Sequence, residues 1–289
     1  MIGVTGPRPV HIVTDSTADI PADRLTDRLV TVVPLVVEVA GRSHRDGVDL
    51  SRDDFVQYLR RGEIPKSSQP AIGAFWEVYQ DRITRGYDVV AIHIASQLSG
   101  TFNTSRSAAA AVSQERIRLI DSGTVSMGFG WLVLEAADLA ARGATANEIV
   151  AYLERRKRDQ RVYAALETLE FLQRGGRIGR AAAFLGSALQ MKPIVAIRGG
   201  AVEPVERVRT FRRALDRLLA LSRQEMPFGK LAVMHLGAEE NAALLADQIV
   251  AEQPGLDIVF SQIGTVIGAY SGPGLVGIAG LVAEEDSPA

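Results

Sequence analysis

Through the first half of the chain, short apolar runs alternate with polar turns and amphipathic stretches. "PVHIVTDSTADIP" (9–21) predicts a strand ending at Asp15-Ser16-Thr17, then a helix from Pro21. "LVTVVPLVVEVAG" (29–41) alternates and is rich in β-branched residues, predicting one or two strands. Ser51 with Asp54 three positions on opens a helix in capping-box fashion, with Phe55, Tyr58 and Leu59 as its inner stripe. "GEIPKSSQP" (62–70) reads as a loop closed by Pro65 and Pro70, and Phe75, Val78, Tyr79 and Ile83 mark the next helix. "AIHIASQLSGTFNTSRSAAAAV" (91–112) is a strand, an abrupt turn and an alanine-rich helix. "RIRLID" (116–121) predicts another strand, and "MGFGWLVLEAADLAARG" (127–143) a helix stopped at Gly143. Thr145 with Glu148 caps the helix after that.

This alternation predicts an α/β domain with a largely parallel sheet. After "ERRKRDQR" (154–161) the rhythm changes. "RVYAALE" (161–167) reads as a strand, and "TLEFLQRGGRIGRAAAFLGSAL" (168–189) as helices around a glycine break. "PIVAIRGGAVEPVERV" (193–208) is a hairpin signal with Gly199-Gly200 as its turn. A helix from Thr210, a strand at 230–236, a helix at 238–253 and further strands complete a second α/β unit. The expected domains are therefore 1–160 and 161–289, and no internal repeat is visible.

Composition narrows the function. The 32 basic and 34 acidic residues leave a net charge of −2, against a general nucleic-acid binder. With no cysteine, disulfides, thiolate metal sites and a Cys nucleophile are excluded. His11, His44, His93 and His235 lack metal-ligand spacing, and a metal held by oxygen ligands alone is open but has no motif behind it, so no metal site is assigned. The opening "MIGVTGPRPV" has neither the basic start nor the apolar core of a signal peptide. The longest apolar run is broken by Pro34 and Glu38 and falls short of the ~20 residues a bilayer requires. A cytoplasmic protein without an integral membrane segment is the expectation.

The densest candidate chemistry is the turn after residue 95. Ser96, Ser99, Thr101, Asn103 and Thr104 lie within nine positions, more hydroxyls and amides than helix capping requires, with no Lys or Arg between His93 and Arg106. Such a turn gathers donors where an α/β sheet binds ligands, beyond its strand ends. "KSSQP" (66–70) and "TDST" (14–17) are further hydroxyl-rich segments, and three together predict one shared polar pocket. "RGGRIGR" (174–180) lacks the Lys-Ser/Thr ending of a P-loop, and "GAYSGPG" (268–274) reads as a rigid turn. Asp15, Asp19, Asp46 and Asp49 are the obvious acids, yet spacing assembles no catalytic pair, and no catalytic residue is expected.

In order from residue 13 to 274, "VTDSTADIP", "RDGVDLS", "KSSQPAIGAF", "HIASQLSGTFNTS", "RIRLIDSGTVSMGFG", "LEFLQRGGRIG", "KPIVAI" and "SGPG" resemble the DegV family of bacterial fatty-acid-binding proteins. The resemblance implies two α/β domains with one long-chain fatty acid buried between them. It also implies a role as the lipid-presenting partner of an ATP-dependent fatty acid kinase, whose acyl phosphate feeds phospholipid synthesis. The carboxylate-holding hydroxyls of the family fall on Ser67 and Ser99, with Ser96, Gly100, Thr101 and Tyr270 as support. Ser67 stands where the family has threonine, and Tyr270 lies in the segment where many members carry histidine. Arg177 and Arg209 are the expected contacts for a kinase or a phosphate. The rival readings are a small-molecule enzyme of the dihydroxyacetone-kinase type, needing a histidine at the pocket, and a regulatory or scaffolding protein.

Overall fold

A computed structural model describes residues 7–186 and 191–284. The chain runs through β1 (Val10–Asp15), β2 (Val30–Val33), β3 (Val36–Val39), β4 (Arg42–Arg45), α1 (Arg52–Arg60), β5 (Lys66–Ser68), α2 (Ile72–Thr84) and β6 (Asp88–His93). Next come α3 (Thr101–Val112), β7 (Ile117–Asp121), α4 (Met127–Ala141) and α5 (Ala146–Arg156). The second half contains β8 (Gln160–Ala165), α6 (Glu170–Arg174), β9 (Lys192–Arg198), β10 (Ala201–Val208), α7 (Phe211–Glu225), β11 (Phe228–His235), α8 (Glu239–Glu252), β12 (Ile258–Gln262), α9 (Thr265–Ser271) and β13 (Val276–Val282).

The fold class is α/β. Strands β2-β1-β6-β7 form a parallel four-stranded sheet, and every residue of β1 is buried, as a central parallel strand requires. Pro34 divides the apolar run at 29–41. Its first part joins this sheet, and its second pairs antiparallel with β4 and β5 in a separate three-stranded sheet. The other six strands take the order β10-β9-β8-β13-β11-β12, antiparallel except for β11 and β12. The Gly199-Gly200 turn closes the predicted hairpin with φ of 55° and 79°.

Several expectations need correcting. The helix from Pro21 is only a 3-10 turn over Ala22–Leu25, because Asp27, at φ 61°, already redirects the chain toward β2. Residues 66–68 are a strand, with Ser67 opposite Val37. On α1 the buried stripe is Phe55, Val56 and Leu59, leaving Tyr58 half-buried. Within 168–189, α6 is one short helix, followed by a 3-10 turn at Gly179–Phe184, and residues 187–189 lie outside the described residues.

Helix α4 explains how the sheets meet. From Met127 to Ala137 it is buried on every side and apolar except for Glu135, which pairs with buried Arg156, so only its last turn meets solvent. It packs against β1 and β6 on one side and against β8, β11 and β13 on the other. The Trp131 indole donates from Nε1 to the Ala279 carbonyl at 2.9 Å, pinning α4 to β13. One continuous apolar core therefore includes Ile12 and Ile92 from the first sheet and Val162, Val195 and Met234 from the last.

Candidate functional site

A cavity opens beside this core, beyond the C-terminal end of β6. The turn that supplies Ser99 follows β6, next to the point where the parallel sheet changes direction, which is where α/β sheets bind ligands. Ile94, Leu98 and Val125 line one wall, and Val162, Val195 and Ile197 from the six-stranded sheet line the facing one. Ile263, Val266 and Ile267 close the remaining side. These side chains recur every second residue along β8 and β9, because alternate positions of a strand share a face.

Polar groups gather at the mouth. Ser67, Ser68, Gln69, Ser99, Gly100, Arg177 and Tyr270 all line the cavity. The Ser67 hydroxyl shares a 2.7 Å hydrogen bond with the Tyr270 hydroxyl. The Ser99 hydroxyl lies 2.8 Å from that of buried Thr101 and accepts from the Thr101 amide at 3.3 Å. Arg177 is exposed at the rim, donating from Nε to the Leu98 carbonyl at 3.2 Å and from Nη1 to the Gly175 carbonyl at 2.7 Å. Its guanidinium carbon sits 5.0 Å from the centre of the Tyr270 ring, a cation–π contact. That ring lies against bare Gly175, where a Cβ would fall 2.5 Å from its Cε1. Gly175 of "RGGRIGR" thus seats Tyr270 beside Arg177. Cation and hydroxyl turn, far apart in sequence, share one mouth.

The remaining candidates are placed elsewhere. Ser96 lines a shallow depression beside the mouth and donates its amide to Asp121 at 3.1 Å. Thr101 reaches the site only through Ser99. Arg209, just past β10, is exposed and does not line the cavity. The "TDST" segment turns inward and corrects the expectation of three hydroxyl loops around one pocket. Asp15 there accepts from the amide and hydroxyl of Thr17 and from the Ile94 amide at 3.1 Å, and pairs with His93 Nδ1 at 3.0 Å. The Ser16 hydroxyl accepts from the Leu35 amide at 3.0 Å. Asp15 joins the ends of β1 and β6, and Ser16 ties the turn to the link between β2 and β3. No histidine lines the cavity among the described residues.

Sequence reasoning missed a buried acid pair next to the cavity. Asp19, in the left-handed region at φ 51°, accepts from the Gly264 amide at 2.9 Å and from the Ser126 hydroxyl at 2.5 Å. Ser126, itself at φ 54°, lines the cavity. Asp46 accepts from the amide and hydroxyl of Thr265 at 2.8 and 2.7 Å. Burial, partly offset by Arg52 and the Ser126 hydrogen bond, pushes the Asp19 carboxyl up to about 7. Together these acids anchor the start of α9, which carries Tyr270. Asp49, in contrast, is exposed and paired with Arg45 at 2.8 Å.

The site combines an apolar body with a mouth of neutral donors and one cation, which suits an amphiphile bearing a single anionic head. No group of acids and histidines among the described residues is arranged to hold a metal. No described helix is long and apolar enough to cross a membrane.

Comparison with known proteins places this geometry in context. The sequence model for "Uncharacterised protein, DegV family" matches residues 9–282. A DegV domain-containing protein of Streptomyces coelicolor is 38% identical over 275 residues, covering 94% of this chain and 98% of that protein. A solved fatty-acid-binding DegV family protein from Thermus thermophilus is 33% identical with a TM-score of 0.89, covering 95% of this chain and 100% of that one. DegV of Bacillus subtilis, solved as a fatty acid binding protein, is 32% identical with a TM-score of 0.87, covering 96% and 100%.

Proposed function

The chain belongs to the DegV family, and from that premise we propose that it binds one long-chain fatty acid and presents its carboxylate to an ATP-dependent fatty acid kinase. The observation that carries this reading is the apolar cavity ending in Ser67, Ser99, Tyr270 and Arg177. A tail of roughly fourteen methylenes gains on the order of 11 kcal/mol from burial, and association and ordering take back a large part. The tail supplies affinity, and the mouth fixes orientation. Each hydrogen bond from Ser67 or Ser99 to the carboxylate contributes about 1.5–3 kcal/mol. A head held mainly by neutral donors stays available for phosphoryl transfer.

In this reading the chain is a carrier, the partner kinase supplies the chemistry, and the acyl phosphate feeds phospholipid synthesis in the cytoplasm. The segment 1–160 contributes the hydroxyl loops, and 161–289 covers the acyl chain. The absence of a histidine among the described lining residues weighs against the dihydroxyacetone-kinase alternative. The test is mass spectrometry of lipid extracted from the purified protein, followed by calorimetric titration with palmitate and oleate. Saturable one-to-one binding is expected. A protein that carries no lipid and takes up neither acid refutes the proposal.

A further inference from the structure

The backbone does not require glycine at position 100. Gly100 adopts φ −71° and ψ −4°, a conformation open to other residues. The space a side chain would take is held instead by Gln69, whose carboxamide lies against Gly100. A Cβ there would meet Gln69 Oε1 and fall 2.8 Å from Cδ and 3.0 Å from Nε2. The same carboxamide donates from Nε2 to Thr104 Oγ1 at 3.2 Å. Gln69 thus reaches from the end of β5 onto the first turn of α3, and of its two contact points Gly100 lines the cavity mouth.

We propose that Gln69 is a positioning residue that sets the spacing between the Ser67 strand and the Ser99 turn, and that position 100 is bare to receive it. The inference rests on the fatty-acid reading above. Ser67 belongs to the three-stranded sheet, whereas Ser99 follows a strand of the four-stranded sheet, and among the described residues no strand pairing joins the two sheets. Two neutral donors on separate supports can share one carboxylate only if their separation is held to about 0.5 Å. A clamp between the supports makes the mouth preorganised, so binding spends less on ordering it.

The contact allows a selective perturbation. The end of Gln69 is exposed and flexible, so a methyl at position 100 displaces the carboxamide without striking the core. Gly100→Ala should therefore reproduce Gln69→Ala. Palmitate affinity is measured calorimetrically on the full chain for wild type, both single variants and the double variant, with urea midpoints alongside. Each single variant is expected to bind roughly three- to tenfold more weakly, with the double no weaker than the worse single, as coupled neighbours behave. Urea midpoints should stay near wild type. Losses that multiply, affinities that do not change, or a Gly100→Ala chain that fails to fold overturn the clamp while wild-type binding stands. A wild type that takes up no fatty acid overturns the lipid reading itself, and the clamp with it.

Discussion

Ser99→Ala separates a ligand-holding hydroxyl from a local turn contact. The substitution deletes one oxygen and leaves the apolar walls intact, so the tail's contribution is unchanged. At the mouth the carboxylate loses one charged hydrogen bond, about 1.5–3 kcal/mol, or roughly 10- to 150-fold in Kd. Within the protein, the Thr101 hydroxyl, buried and 2.8 Å from Ser99 Oγ, loses its partner, and the Thr101 amide loses its acceptor at 3.3 Å. The N-cap of α3 is Gly100, so the Ser99 contact is a local turn bond, and such a bond contributes about 0.5–1.5 kcal/mol to stability. The assay pairs palmitate titration with urea denaturation of the same samples. Thr101→Val serves as the comparison, because it removes the hydroxyl–hydroxyl bond, keeps the amide bond to Ser99 and does not touch the cavity lining. A Ser99→Ala chain that loses stability like Thr101→Val but keeps wild-type affinity refutes the argument and reduces Ser99 to a local turn contact.

Three further outcomes are expected. Ser67→Ala should weaken palmitate binding to a similar extent, and the Ser67→Ala/Ser99→Ala double variant should lose less than the product of the two, because both hydroxyls serve one group; multiplicative losses by calorimetry argue for separate roles. Arg177→Glu should weaken both fatty-acid affinity and kinase-dependent acyl phosphate formation, because Arg177 lines the cavity mouth, whereas Arg209→Glu should lower only the second; equal losses of affinity in the two variants contradict this placement. Asp19→Asn tests the buried acid. Its folded pKa, about 7 against an ordinary 3.8, favours the neutral form, so its stabilising contribution is complete below about pH 4 and is lost as pH rises through 7. The stability of wild type relative to Asp19→Asn should therefore fall between pH 4 and 8 by an amount on the order of a few kcal/mol; a difference independent of pH in urea titrations rejects the assignment.

What the sequence made legible was local. The strand–turn–helix at 91–112, the Thr145–Glu148 capping box and the Gly199-Gly200 hairpin all rest on neighbours within a few positions, and the structure forms each of them. The density of hydroxyls around Ser99 and Ser67 led to the cavity for the same reason. Contacts between distant residues were not legible. Three residues flanked by prolines carry too little alternation to announce β5. Nothing near residue 69 says that its side chain will rest on Gly100, and nothing near Arg177 says that it will lie over Tyr270. The "TDST" hydroxyls misled because local composition does not record which way a side chain turns. Asp15 uses its oxygens to join two strands rather than to face a ligand.

Helix α4 has a consequence for how cargo enters. Because its two sides belong to one unbroken core, the walls of the cavity cannot part like jaws without exposing Trp131, Leu132 and their neighbours to water. Burial of apolar surface at about 25 cal/mol per Å² makes such a gape expensive on any working timescale. Under the fatty-acid proposal, entry and exit therefore fall to the rim rather than to a separation of the walls, and Arg177 stands exposed there, held by the carbonyls of Leu98 and Gly175.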